Sequence, residues 1–212
     1  MRRGFSVVDT DTAGMRLTFL GTGSAFPSPT RLQTSLLVES GDHTLLVDCG
    51  SGACHRLAQA DTDHTAVDAV LLTHTHLDHV ADLSTLVKAR WLDGNPDLDV
   101  YGPPGTAAVV ETLLGVGDLS ERADVGVTEL DPDAEGVEIG PHRIAYTETT
   151  HSTRCFAYRF DGRLTISGDT APDNAVFGLA DGSDVLVHEC SFPDGVDSDG
   201  HTTPTELGER LG

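Results

Sequence analysis

The hydrophobic residues of the chain fall into short runs separated by polar, glycine-rich breaks. β-Branched and leucine-rich runs bounded by Gly, Asp or Ser predict strands, and apolar positions spaced three and four apart predict helices. The predicted strands are 16–20, 34–39, 43–48, 67–72, 98–101, 137–139, 142–149, 154–160, 163–167 and 184–189. The predicted helices are 51–60, 80–93, 105–115, 172–180 and a last one from Pro204. The acidic stretch 116–136 gives no clear pattern.

The order of predicted elements is similar in the two halves of the chain. In each half, strands come first and are followed by a helix, a strand and a helix. Two such layered halves facing each other would make an α/β fold of four layers, an αββα sandwich. We therefore expect one domain over residues 15–212. Residues 1–14 are polar and without periodicity, which predicts a loose N-terminal extension.

The charge of the chain is strongly acidic. Asp and Glu total 34 against 13 Lys and Arg, which gives a net charge of -21 with the acids spread along the sequence. We interpret this as an adaptation to a halophilic cytoplasm, where salt screens the repulsion between surface carboxylates. A solvated acidic surface without any partner is the alternative. The charge argues against broad, nonspecific binding of nucleic acid, unless the few arginines cluster or the salt concentration is high.

The cysteines and the apolar runs bear on the compartment. None of the four cysteines forms a C-x-x-C pair, and the N-terminus lacks the apolar core of a secretion signal, so reduced and mostly buried thiols are expected. No apolar run approaches the roughly 20 residues that a membrane-spanning helix needs. The sequence therefore predicts a cytoplasmic protein without a membrane partner.

The run of residues 73–79 carries the strongest chemical signal in the chain. It reads Thr-His-Thr-His-Leu-Asp-His and holds three imidazoles and one carboxylate, a ligand set that suits zinc and its neighbours. In an extended segment, His74, His76 and Asp78 would share one face. His79 requires a turn from strand through loop into helix. The alternative, that Asp78 caps a helix beginning near Val80, explains only one of the four residues.

Two further ligand-type residues follow predicted strands. His151 lies at the end of a strand, where a lone histidine is more often structural or exposed than a ligand. Asp169 lies between a strand and a helix, and it or Thr170 could instead cap the helix that Pro172 opens. Strand-end loops are, however, where layered α/β folds place ligands.

The turn after the first predicted strand contains Gly21, Thr22 and Gly23. A lone Gly-Thr-Gly is a weak signal. It allows either a tight turn or a close approach of the backbone to a substrate phosphate. His201 precedes the last predicted helix, which Thr202 or Thr203 could cap.

Together these residues resemble the metallo-β-lactamase superfamily. Residues 74–79 match its H-x-H-x-D-H motif, His151 is similar to its third histidine, and Asp169 to its bridging aspartate. More narrowly, the chain resembles the ribonuclease Z and phosphodiesterase-like branch. The segments that carry this narrower resemblance are 19–23, 101–105, 188–189 and 201–203.

The resemblance implies a metal centre and roles for its residues. His74, His76 and His151 would hold one Zn²⁺, and Asp78, His79 and Asp169 a second, with Mn²⁺ as the alternative metal. In addition, Asp78 and His201 would be catalytic. Asp78 would orient the attacking hydroxide or accept its proton, and His201 would protonate the leaving oxygen or stabilise the charge of the transition state. Residues 21–23 would present backbone N–H groups to the substrate.

The sequence also departs from the branch in two ways. Only residues 152–168, 17 in all, separate His151 from Asp169, where tRNA-processing members carry a long tRNA-gripping arm. This argues against tRNA as the substrate. The superfamily's last histidine ligand is expected on a further strand after the final helix, so we expect the domain to be truncated before that strand.

Three functions compete at this point. The first is a metal-dependent phosphodiesterase acting on a small phosphodiester, a cyclic nucleotide or short RNA. The second is a metallo-hydrolase of another ester, such as an arylsulfate, a lactone or a thioester. The third is a non-catalytic domain whose shortened second site holds one metal or none. Related enzymes are often dimers, so the resemblance also implies a homodimer.

Overall fold

Two separate units make up the chain, residues 1–129 and residues 130–212. They are seen in a computed structural model that describes residues 7–10, 14–196 and 199–211. Each unit contains one β-sheet and its own helices. Val7–Thr10 pairs antiparallel with the strand that begins at Met15. The rest of the predicted N-terminal extension, residues 1–6 and 11–13, lies outside the described residues.

The sheet of the first unit has seven strands, in the same order in the sheet as in the chain. They are β1 Val7–Thr10, β2 Met15–Gly21, β3 Ser35–Ser40, β4 His43–Val47, β5 Ala69–Leu71, β6 Asp97–Gly102 and β7 Asp124–Glu129. Strands β1 to β4 pair antiparallel, and β4 to β7 pair parallel. Parallel neighbours need crossover connections, and helices supply them here.

Four helices belong to the first unit: α1 Ala53–Gln59, α2 Leu77–Val80, α3 Leu83–Leu92 and α4 Thr106–Leu114. The predicted helix over 80–93 is thus two helices, broken near Asp82. The Asp82 N–H donates to the Cys49 carbonyl, and the Asp82 carboxylate accepts the Cys54 N–H. These contacts with the start of α1 anchor the break, and no local pattern in the sequence announces them.

The second unit has a five-stranded sheet in the order β12-β11-β10-β9-β8. The strands are β8 Gly136–Ile139, β9 His142–Glu148, β10 Phe156–Phe160, β11 Leu164–Ile166 and β12 Val185–Val187. Only β11 and β12 pair parallel, and α5 Asn174–Ala180 connects them. The last helix is α6 Pro204–Leu211. Phe156, Tyr158 and Phe160 of β10 are fully buried and form the centre of this unit.

The structure can be compared with two predictions, one about the cysteines and one about membrane-spanning helices. All four cysteines are free thiols, but only Cys49 and Cys155 are buried, which is less than the sequence predicts; Cys54 is half-buried and Cys190 is exposed. Within the described part of the chain, no helix has both the length and the apolarity to cross a bilayer.

Candidate metal centre

The ligand run of residues 73–79 passes from a strand end into a helix, as the sequence predicts. Strand β5 ends at Leu71, and α2 begins at Leu77, so that Asp78 and His79 lie on its first turn. Thr73 and His74 are completely buried, and His79 is nearly so. His76 occupies the N-cap position of α2 without a side-chain cap bond. The alternative interpretation of Asp78 as a helix cap is therefore wrong.

The four ligand-type side chains of the run face one another. The His74 Nε2 and His76 Nδ1 atoms are 3.1 Å apart. The ring centroids of His74 and His79 are 4.0 Å apart, and His79 Nε2 lies 3.7 Å from the Asp78 carboxylate. The structure thus brings these nitrogen and oxygen donors into one cluster.

Asp48 supports this cluster and was not predicted as a site residue. Its carboxylate accepts hydrogen bonds from the Thr73 N–H and the Thr73 hydroxyl, both at 2.8 Å, and from His79 Nδ1 at 2.7 Å. Asp48 is 1% exposed and has a φ of 58°, a left-handed conformation that Asp tolerates better than most residues. The bond to Nδ1 fixes the His79 tautomer and leaves Nε2 as its ligand nitrogen. The signal available in the sequence was an Asp directly after a buried strand.

The cysteines near the run remain protonated thiols. Cys49 is fully buried, and burial raises the pKa of its thiol well above the ordinary value. Burial, reinforced by Asp82, raises the pKa of Cys54 to about 12. Burial therefore favours the neutral thiol at both cysteines.

A second cluster lies in the second unit, where the structure brings His151, Asp169 and His201 together. One ligand atom from each lies within 4.8 Å of the others. His151 follows β9, Asp169 follows β11, and His201 precedes α6. The three residues come from three loops, which explains why spacing in the sequence does not reveal the cluster.

Backbone and carboxylate acceptors orient both imidazoles of this second cluster. His151 Nδ1 donates to the Gly200 carbonyl at 2.9 Å. His201 Nδ1 donates to the Glu189 carboxylate at 3.0 Å. In each ring, Nδ1 is engaged in this hydrogen bond, so Nε2 is the nitrogen that can bind a metal or exchange a proton.

Glu189 organises the loops around His201, a role that sequence reasoning missed. Its side chain is 9% exposed. One carboxylate oxygen accepts the N–H groups of Thr170 and Thr202, and the other accepts the Ser191 N–H at 2.8 Å. Glu189 thus ties together the loops after β11, after β12 and before α6. The sequence showed only a His-Glu pair at a strand end.

The glycine turn after β2 is explained by packing. A Cβ on Gly21 would lie 1.8 Å from the Gln33 carbonyl oxygen, and one on Gly23 would lie 2.8 Å from that of Leu32. The Gly23 N–H donates to the Leu32 carbonyl at 2.7 Å. This bond occupies the N–H group that the resemblance offered to a substrate. Thr22, between the two glycines, is exposed.

The donor set of the two clusters fits a divalent metal. Nδ1 of His79, His151 and His201 donates to an acceptor of the protein, the pattern found in metal-binding histidines. Imidazole nitrogen combined with carboxylate oxygen suits zinc and manganese. Such a donor set in a two-sheet α/β fold defines a metal-dependent hydrolase of the metallo-β-lactamase superfamily.

Comparison with known proteins identifies the family. A family model described as "Anti-Pycsar protein Apyc1" matches residues 15–210, and the chain belongs to this family. The chain is also 36% identical over 198 residues to ribonuclease Z of Mycobacterium bovis (strain BCG / Pasteur 1173P2), covering 82% of this chain and 69% of that protein. Ribonuclease Z of Mycolicibacterium gilvum (strain PYR-GCK) is 34% identical over 199 residues, covering 82% and 68%.

Solved structures agree on the fold. The metallo-β-lactamase fold protein YhfI from Bacillus subtilis superposes with a TM-score of 0.80 at 29% identity, covering 93% of this chain and 81% of that one. The short form of human tRNase Z (ELAC1) gives 0.78 at 23% identity, covering 92% and 87%. The predicted metallo-β-lactamase fold and ribonuclease Z-like branch are confirmed. The chain is a metal-dependent hydrolase of phosphodiester bonds.

Proposed function

We propose that the chain hydrolyses a small phosphodiester or short RNA at a centre of two zinc ions. The observation that carries this proposal is the cluster of His74, His76, Asp78 and His79, braced from behind by the Asp48 carboxylate. Desolvated imidazoles with fixed tautomers have little structural purpose without a cation to bind.

The proposed ligands follow the resemblance of the sequence. The resemblance implies that His74, His76 and His151 would hold one ion, and that Asp78, His79 and Asp169 would hold the other. Zinc is favoured over iron because the second position of the motif is His76 rather than a carboxylate. Manganese is the alternative metal, since carboxylates contribute to the second set. Two divalent ions in such a centre polarise phosphoryl oxygens and lower the pKa of water.

We assign separate roles in the reaction to Asp78, His201 and Glu189. Asp78 orients the attacking water or accepts its proton. His201 gives a proton to the leaving oxygen, or stabilises the charge that develops there. Glu189 supports this role because its carboxylate accepts from His201 Nδ1 and so turns Nε2 towards the reaction.

Short substrates fit the sequence best. The mycobacterial relatives carry the name ribonuclease Z, and one similar structure is described as a diphosphatase from the PhnP family. Between His151 and Asp169 this chain has only residues 152–168, without a long arm to grip a folded RNA. The acidic surface opposes long polyanions for the same reason that it opposes nonspecific nucleic-acid binding. We also propose that the protein works in a cytoplasm of high salt. We further propose that it forms a homodimer.

Hydrolysis of a different ester, such as an arylsulfate, a lactone or a thioester, is the second candidate function. It would use the same metal centre with a different pocket. The experiment compares bis-p-nitrophenyl phosphate, p-nitrophenyl sulfate and a lactone panel, with Zn²⁺ or Mn²⁺ added to metal-depleted protein. We expect turnover of the phosphodiester to exceed that of the other esters by at least tenfold. Preferred turnover of a sulfate or lactone would replace the proposal with the second candidate.

A further inference from the structure

An exposed phenylalanine lies on a loop next to the ligand run. The side chain of Phe26 is 76% exposed. Phe26 lies in the loop between β2 and β3. Leu77, inside the ligand run itself, is 69% exposed.

Gln33 clamps the Phe26 loop to the turn that follows Asp48. Its side-chain oxygen accepts the Ser51 N–H at 3.0 Å, and its side-chain nitrogen donates to the Ala25 carbonyl at 3.4 Å. The Gln33 N–H also donates to the Ser51 carbonyl. Phe26 is the next residue after Ala25, so this amide holds the base of the aromatic side chain.

The same turn packs directly on a proposed metal ligand. A Cβ on Gly50, next to Ser51, would lie 2.1 Å from the Asp78 carbonyl oxygen, so the two backbones are in close contact. A short chain of contacts therefore runs from Asp78 through Gly50 and Gln33 to Phe26. Both ends belong to the first unit.

The loop is stiff although it is exposed. Pro27 and Pro29 fix two backbone angles, and the Ser28 hydroxyl accepts the N–H groups of Thr30 and Arg31, both at 3.3 Å. Rigid placement lowers the entropy lost when a partner binds. An aromatic side chain that a stiff loop presents to solvent is suited to stack on a nucleobase.

We propose that Phe26 is a specificity residue, which stacks on the nucleobase of the substrate while the phosphodiester lies at the ligand run. This inference rests on the proposed phosphodiesterase function and adds that the preferred substrate carries a base. Stacking tolerates every base because each has a π-face, so the residue selects nucleotides without selecting a sequence.

The test compares two esters that differ only in the base. These are p-nitrophenyl thymidine 5′-phosphate and its abasic analogue, which share the same leaving group. We expect Phe26→Ala to raise KM for the thymidine ester by about tenfold to a hundredfold, the effect of losing one stacked base. The same variant should change KM for the abasic ester less than about twofold, and Phe26→Trp should restore the wild-type preference.

A matched control and a binding measurement complete the experiment. Val116 is 75% exposed on another element of the same unit, and Val116→Ala should leave both esters unchanged. Stacking on Phe26 should quench the fluorescence of 2-aminopurine riboside 5′-monophosphate, and Phe26→Ala should abolish this quenching.

Equal KM changes for the two esters, or unchanged quenching in Phe26→Ala, would overturn the role of Phe26. Failure of the wild type to hydrolyse either ester would instead contradict the proposed phosphodiesterase. The quenching experiment does not require turnover, so it still decides the stacking role in that case.

Discussion

Single hydrogen bonds decide which nitrogen of each histidine can bind a metal or exchange a proton. The Asp48 carboxylate, the Gly200 carbonyl and the Glu189 carboxylate each accept from one Nδ1 atom. These acceptors lie behind the rings, so their removal should weaken metal binding or catalysis without removing a ligand. We therefore make one prediction for Asp48 and one for His201.

Asp48→Asn should lower the affinity for Zn²⁺ by about 10–100-fold, as the loss of such a partner usually does. An asparagine side chain cannot accept all three hydrogen bonds that Asp48 accepts from Thr73 and His79. Competition with a fluorescent chelator measures the affinity, and circular dichroism checks the fold. Asp42→Asn, at an exposed position, is the matched control. Equal Zn²⁺ affinities for Asp48→Asn and wild type would show that Asp48 does not support metal binding.

His201→Ala should slow the hydrolysis of esters with poor leaving groups most. A general acid contributes about 10²–10⁴-fold when the leaving oxygen needs a proton, and much less when it does not. The phenyl and p-nitrophenyl esters of methyl phosphate provide the comparison, with kcat as the readout. His55→Ala, at an exposed histidine, serves as the control. Equal losses on both esters would exclude proton donation by His201.

The positions of the candidate ligands depend on where strands end and helices begin. The ligand run works because β5 stops at Leu71 and α2 starts at Leu77. In the same way, α6 starts directly after His201-Thr202-Thr203. The Thr203 N–H and hydroxyl both bond the Glu206 carboxylate, at 2.9 and 2.7 Å, as in a capping box.

The α6 cap predicts a measurable pH effect. Hydrogen bonds from the Thr203 hydroxyl and N–H lower the pKa of Glu206 below its ordinary value of 4.5. The folded pKa is depressed, so the contribution of the cap is complete above pH 4.5 and is lost as the pH falls through the lower folded value. Carboxyl NMR titration should show this lowered pKa, and Thr203→Ala should return it towards 4.5. A Glu206 pKa that Thr203→Ala leaves unchanged would contradict the cap.

Local patterns predicted most elements, and contacts distant in sequence explain the misses. Strand β7 was not predicted, because it is an edge strand with an acidic and half-exposed sequence. The break at Asp82 depends on contacts with Cys49 and Cys54. The ligand run was predictable because its residues are contiguous. Asp48 was not, because its partners Thr73 and His79 lie 25 and 31 residues away.

The charge of the whole molecule predicts its response to salt. With a net charge of -21, repulsion between carboxylates opposes the folded state, and the Debye length falls from about 10 Å at 0.1 M salt to about 3 Å at 1 M. The melting temperature should therefore rise when KCl increases from 0.1 to 2 M. Thermal unfolding followed by circular dichroism measures it. A melting temperature that falls with KCl would contradict the interpretation of the acidic surface.

Metal-dependent turnover tests directly whether the chain hydrolyses phosphodiesters at the proposed metal centre. The measurement is kcat/KM for bis-p-nitrophenyl phosphate as Zn²⁺ or Mn²⁺ is titrated into metal-depleted protein, for wild type and His76→Ala. We expect no turnover without metal, saturable activation of the wild type, and a loss of at least a hundredfold in His76→Ala. Turnover that is independent of metal, or equal in the two proteins, would contradict it.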